Sequence, residues 1–131
     1  MATELTIGIR WRDMDAYGHV NNAVYLNYLE ECRDLMVGTL IGPHDSWDFV
    51  LAHVGIDFRD ELTQADAEIV VRCAVVGFGR SSVRTRESIL KLDGTIAAEA
   101  EAVIVPRDRE RGGSRPLTEA ERSILRSAQD A

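Results

Sequence analysis

The segment from Arg10 to Glu31, RWRDMDAYGHVNNAVYLNYLEE, gathers Asp13, Asp15, His19, Asn21 and Asn22 into one short stretch. A carboxylate can attack a carbonyl or serve as general base on water. The first backbone N–H groups of a helix lack internal acceptors and sit at the positive end of its dipole. Such groups can hold a developing oxyanion. A carboxylate placed before a helix start is therefore suited to acyl transfer. The same residues also allow a plain reading, in which Asp13 and Asp15 cap a turn and Asn21 or Asn22 caps the helix. The residues alone leave both readings open. Asp13-x-Asp15-x-x-Gly18 begins like a calcium loop, but the EF-hand pattern needs an oxygen ligand at its fifth position and Glu at its twelfth. Tyr17 and Val24 stand there. His44, Asp45, Asp48 and His53 match no metal-ligand spacing and read as a surface loop.

These groups need elements to hold them. Residues 5 to 12 alternate, with Leu5, Ile7, Ile9 and Trp11 facing one way, which predicts a half-buried strand. The alternation stops at Asp13 and a polar loop follows. Tyr25, Tyr28, Leu29, Cys32, Leu35 and Met36 then form one apolar stripe, which predicts a helix over 22–40 ended by Gly38 or Gly42. Residues 49–59 alternate again, with Val50, Ala52, Val54, Ile56 and Phe58 on one face. Residues 68–78 are β-branched strand, and 81–105 read as two strands joined at Asp93-Gly94. A charged, flexible linker over 107–117 leads to a short helix over 118–128, started by the capping box Thr118 to Glu121. The order predicts one α+β domain over 1–131, a long helix against a mainly antiparallel sheet. The later strands look apolar on both faces, which predicts a self-association surface.

The 131 residues are 45% hydrophobic and 28% charged, within the range of one globular domain. A net charge of -7 argues against nucleic acid as partner, which needs a basic surface. Cys32 and Cys73 form no CxxC pair and read as buried reduced thiols. The N-terminus has no apolar leader and no run is long enough to span a membrane, so a cytoplasmic location is expected.

The motif residues Asp15, Gly18, Val20, Asn22, Tyr25, Tyr28 and Glu30, within GHVNNAVYLNYLEE, resemble the signature of the 4-hydroxybenzoyl-CoA thioesterase-like family of hotdog-fold acyl-CoA thioesterases. The likeness continues through Asp57-Phe58, the Gly-x-Ser-Ser of 79–82, Asp93-Gly94 and Pro116-Leu117. It implies a hotdog fold, in which a five-stranded antiparallel sheet wraps the long helix. It also implies edge-to-edge dimers, which often pair into tetramers, with active sites at the dimer interface. The family's catalytic carboxylate maps onto Asp15, its oxyanion donor onto the backbone N–H of Asn22, and its loop glycine onto Gly18. The substrate would be an acyl-CoA, with no metal or tightly bound cofactor. Branches that act on aromatic acyl groups usually carry an apolar or aromatic residue where His19 stands, so His19 fits the straight-chain branch better and joins the site set.

CoA carries several phosphate charges, and Arg matches phosphate geometry. Arg80, Ser81, Ser82, Arg84 and Arg86 are the candidate CoA contacts, with Arg107, Arg109 and Arg111 as a second set. Tyr25 belongs to the apolar stripe and is also a candidate substrate contact. Two other functions compete. A hotdog hydratase or dehydratase would use a His with an acid partner in a His-Phe-Pro or MaoC-type context, which is absent. A non-catalytic acyl-binding domain would fit a chain that had lost Asp15.

Overall fold

The computed structural model describes residues 2–42 and 48–130, so His44 and Asp45 lie outside the described residues. Its strands are β1 (Ala2–Gly8), β2 (Phe49–Phe58), β3 (Glu68–Phe78), β4 (Val83–Lys91) and β5 (Ile96–Pro106). The helices are α1 (Asn22–Leu40) and α2 (Glu119–Ala128). The strands form one antiparallel sheet in the order β1-β3-β4-β5-β2. β2 follows α1 in sequence yet lies at the far edge beside β5, so the sheet's two edges are β1 and β2.

α1 lies on one face of the sheet, over β1, β3 and β4. It buries Tyr25, Tyr28, Leu29, Cys32, Met36 and Val37 against Ile69, Val71, Cys73, Val75 and Ile89. Leu35 departs from the predicted stripe and is exposed. Arg33 takes the buried flank instead because it meets Glu87 across the core. Both cysteines are buried and free.

Three expectations are corrected. The first strand ends at Gly8, not at residue 12. The Arg10 N–H bonds Asp13 Oδ2 and the Asp13 N–H bonds the Arg10 carbonyl, which curls Trp11–Asp13 into a 3-10 turn and leaves Trp11 79% exposed. Second, a register shift between Leu51 and His53 changes the parity of β2. Val50 and His53 pair with Val105 and Val103 on the sheet's outer face, whereas Leu51, Val54, Ile56 and Phe58 follow Ile104, Ala102, Ala100 and Ala98 inward. Third, the outer face of β3–β5 is charged: Arg72, Arg84, Arg86, Glu99 and Glu101 are exposed there. The inner side of β2 does leave apolar surface open, with Leu51 46% and Phe58 45% exposed.

The Asp93-Gly94 turn and the Thr118–Glu121 capping box form as read. Residues 107–117, read as a flexible linker, are tied back by hydrogen bonds: Asp108 N–H to the Gly113 carbonyl, Arg115 N–H to Pro106 and Leu117 N–H to Arg80.

Candidate active site

The chain between β1 and α1 folds into a closed loop. Met14 and Val20 bridge as an antiparallel pair. The Asp15 N–H donates to the His19 carbonyl at 3.0 Å and the Gly18 N–H donates to the Asp15 carbonyl at 3.2 Å. The Tyr17 N–H donates to Asp15 Oδ1 at 2.9 Å, an Asx turn. Gly18 adopts φ +87°, which a side chain would strain, although nothing crowds the space a Cβ would fill. Asp15 Oδ2 takes no hydrogen bond from the described residues, so one oxygen of this half-buried carboxylate is free to react.

α1 starts where that loop ends. Asn21 is the N-cap: its side chain accepts from Ala23 N–H at 2.9 Å and its carbonyl from Val24 N–H at 2.8 Å. Asn22 N–H finds no acceptor among the described residues. It is thus an orphan donor at the positive end of a 19-residue helix. Sequence left Asn21 and Asn22 interchangeable as caps, and the structure separates them.

Asp13 is a different kind of carboxylate. It is 2% exposed and accepts from the Arg10 N–H, the Arg10 guanidinium and, at 2.7 Å, the Tyr28 hydroxyl. Burial works to raise its pKa, but these hydrogen bonds together outweigh burial and hold the carboxyl below its ordinary value. Burial, then the bond to Asp13 and its charge, push the Tyr28 hydroxyl well above the ordinary tyrosine value. Tyr28 therefore stays a neutral donor.

A cleft of about 220 Å³ opens beside the helix start, lined by His19, Val20, Asn22, Tyr25 and the segment Phe58–Glu61. His19 Nε2 lies 3.7 Å from Glu61 Oε2. The Tyr25 hydroxyl donates to the Asp60 carbonyl at 3.1 Å and accepts from Leu62 N–H at 3.0 Å. Its hydroxyl thus pins the 60–62 segment, and its ring meets Phe58 edge-on. Asp60 and Glu61 escaped sequence reading because they sit in an irregular stretch after β2. Asp15 is not a wall of this cleft, whose volume falls below the ~300–1,000 Å³ of ordinary ligand sites.

The arginine group lies elsewhere. Lys91 Nζ is 3.2 Å from Asp60 Oδ2, which puts the end of β4 at the cleft. Arg84 stands near the other end of that strand, about 23 Å away at ~3.3 Å per residue. Arg80, Ser81 and Ser82 are beyond it, in the β3–β4 turn. The Arg84 guanidinium lies over Gly77, where a Cβ would clash with it. Arg86 lines a second cleft of about 520 Å³ on the outer face, together with Arg72, Glu99 and Glu101. Neither Arg84 nor Arg86 has an ion-pair partner among the described residues. The structure thus joins His19, Asn22 and Tyr25, sets Asp15 and Gly18 on the adjoining loop, and leaves Arg80–Arg86 apart. Among the described residues no three His, Cys, Asp or Glu side chains gather as a metal site.

Residues 9–126 match the family model of the Thioesterase-like superfamily. The chain belongs to that superfamily. A thioesterase from Thermus thermophilus, crystallised with coenzyme A and zinc, is 32% identical, with a TM-score of 0.86 over 97% of this chain and 94% of that one. A thioesterase superfamily protein from Jannaschia sp. CCS1 shares the fold at 15% identity, with TM-score 0.88 over 99% and 94% of the two chains. So does the SAV2348 protein of Staphylococcus aureus, solved with CoA, at 12% identity and TM-score 0.83 over 100% and 87%. No curated protein matches the sequence. This thioesterase-like chain therefore has the hotdog architecture that its first helix and preceding loop resemble. No helix among the described residues is long and apolar enough to cross a membrane.

Proposed function

We propose that this protein hydrolyses acyl-CoA thioesters to a carboxylic acid and free CoA. The observation that carries the reading is the pairing, across one short loop, of a carboxylate with a free oxygen at Asp15 and an unsatisfied helix N–H at Asn22. The thioester carbonyl oxygen would point at the Asn22 N–H, which stabilises the oxyanion as it forms. Asp15 either attacks the carbonyl carbon, giving an anhydride that water then opens, or takes the proton of the attacking water. Both routes break the C–S bond and release CoA as the thiol. The CoA complex of the 32% identical Thermus protein supports CoA as the carrier.

The small cleft supports a site completed by a second copy. α1 covers the inner side of β2 only in part, leaving Leu51 and Phe58 exposed, and β2 is an open edge. A two-fold axis normal to the sheet would pair β2 with its copy antiparallel and keep both helices on one side. That operation reverses the partner's strands, so the partner subunit's Arg84 would come to the end of the sheet where Asp15 lies.

The test is thiol release from saturated and aromatic acyl-CoAs by the wild type and by Asp15→Asn. Turnover by the wild type that the variant lacks supports the reading. Water addition to an enoyl-CoA without hydrolysis would make the protein a hydratase, and binding without turnover would make it an acyl-binding domain.

A further inference from the structure

The groups given chemical roles, Asp15 and Asn22, are both tethered to Asp13. The Asp13 carbonyl accepts the Asn21 N–H at 3.0 Å, a bond that ties the start of the loop to the residue before Asn22. Asp15 follows Asp13 by two residues. The spacing between a free carboxylate oxygen and an orphan helix N–H thus hangs on where Asp13 sits. Four bonds from outside the loop fix that position. Arg10, just after β1, donates its N–H to Oδ2 at 3.0 Å and its guanidinium to Oδ1 at 3.0 and 3.2 Å. The Tyr28 hydroxyl, from the second turn of α1, donates to Oδ2 at 2.7 Å. Arg10 is mostly solvated, with its side chain 57% exposed. Tyr28 is 2% exposed and is the buried link from Asp13 to the body of the helix.

We propose that Tyr28 is a positioning residue for the hydrolysis, acting through Asp13 to hold Asp15 and the Asn22 N–H at the reactive separation. The inference rests on the acyl-CoA thioesterase reading. Arg10 ties Asp13 to β1, the Asn21 bond ties it to the cap, and Tyr28 ties it to the helix whose first N–H does the work. Without the hydroxyl, Asp13 is held from the strand side and by the cap alone. The loop can then shift relative to α1 while the apolar ring keeps its place in the core. A shift of about 1 Å in reacting groups costs on the order of 10²-fold in rate. Substrate affinity should change little, because Tyr28 and Asp13 are buried away from the cleft walls.

The experiment compares wild type, Tyr28→Phe, Asp13→Asn and the double variant, below the lowest melting midpoint of the four. It reads kcat and KM on an acyl-CoA, and hydrogen exchange of the Asn21 amide. Tyr28→Phe should lower kcat about 10- to 100-fold with KM nearly unchanged, and should speed Asn21 exchange. In the Asp13→Asn background it should add little further loss, because both changes break one link. Unchanged kcat in Tyr28→Phe overturns the proposal, as does additive loss in the double variant or unchanged Asn21 exchange. A wild type that releases no CoA from any acyl-CoA counts against the thioesterase reading instead, and the exchange measurement then decides the brace by itself.

Discussion

Arg33 and Glu87 meet inside the core, with Arg33 Nε 2.8 Å from Glu87 Oε2 and Nη2 2.9 Å from Oε1. Their side chains are 6% and 0% exposed. Thr85 donates a further bond to Glu87 at 2.6 Å, and the Cys73 thiol approaches the same oxygen. The pair joins α1 to β4 under the sheet. Removing one partner leaves a buried charge, which costs about 3–5 kcal/mol. Arg33→Met should therefore lower the urea midpoint far more than an ordinary surface change. Changing Arg33 and Glu87 together to Met should recover most of that loss, since buried pairs often do no better than apolar replacements. A double-mutant cycle in urea measures both. Equal, additive losses would mean the pair does not act as a unit.

Acid stability follows from Asp13 and Glu121. Arg115 lowers the Glu121 carboxyl against the opposing effect of burial, and hydrogen bonds lower Asp13 despite its burial. A carboxyl with a depressed folded pKa stabilises the fold above its ordinary value and loses that contribution as pH falls through the folded value. The ordinary values are 3.8 for Asp and 4.5 for Glu. Asp34 works the other way, because burial and then Glu30 raise it, so its protonation relieves a cost. Asp93 is lowered as well, chiefly by the bond from the Thr95 N–H, so with three lowered carboxyls against one raised the melting midpoint should drop below about pH 4, and the drop should shrink in Asp13→Asn. Circular dichroism melts across that range decide it. An unchanged slope in the variant would remove Asp13 from the account.

Much of this was legible in the residues. The periods of β3, β4 and β5 and the Thr118 capping box set elements that formed where read, because each is a local signal. Asp13 and Asp15 were separable as cap and reactive group only through the family likeness. In the structure Asp13 is spent on Arg10 and Tyr28 whereas Asp15 keeps an oxygen free, a difference in bonding that alternation and spacing could not show. Three features were not legible. The parity of β2 changes at a bulge that alternation cannot show. Arg33 breaks the apolar stripe for a partner 54 positions away. The cleft walls Asp60 and Glu61 come from irregular chain pinned by Tyr25.

The open face of β2 leads to a prediction about assembly. Stable interfaces bury about 800 Å² per partner, and the inner side of β2 supplies an apolar start through Leu51, Val54, Ile56 and Phe58. The wild type should scatter light as a dimer or larger at micromolar concentration. Leu51→Glu, remote from Asp15, should shift the mass toward one chain and lower thioesterase activity in parallel. A fully active monomer would sink both the β2 pairing and the two-chain site.

The arginine patch gives a kinetic prediction. Arg84 and Arg86 lie on the outer face without ion-pair partners among the described residues. Contacts to phosphates far from the carbonyl bind ground and transition states alike. Replacing both by Gln should therefore raise KM for acyl-CoA much more than it lowers kcat. Steady-state kinetics on one acyl-CoA suffice. An unchanged KM would move the phosphates to the tail arginines Arg107 and Arg111.

The last prediction separates the two carboxylates. Asp15→Asn keeps the size and the Asx turn to Tyr17, since the amide oxygen can still accept that N–H. It cannot attack a carbonyl or take a proton from water at neutral pH, so turnover should fall by ~10²–10⁴ or more while folding and binding persist. Asp13→Asn should weigh more on stability than on turnover. It removes a buried charge from beside Arg10 and Tyr28, so the melting midpoint drops. It weakens the link to Tyr28 while its carbonyl can still hold the Asn21 N–H, so kcat should fall by no more than the roughly 10- to 100-fold expected of Tyr28→Phe, well short of the loss in Asp15→Asn. The measurement is kcat for both variants beside their melting curves. If Asp15→Asn retains more than about a tenth of the wild-type kcat, a loss well short of that range, Asp15 is not the reacting group. If Asp13→Asn is dead while folded and Asp15→Asn is active, the buried carboxylate performs the chemistry and the Arg10–Tyr28 bonds must open to expose it.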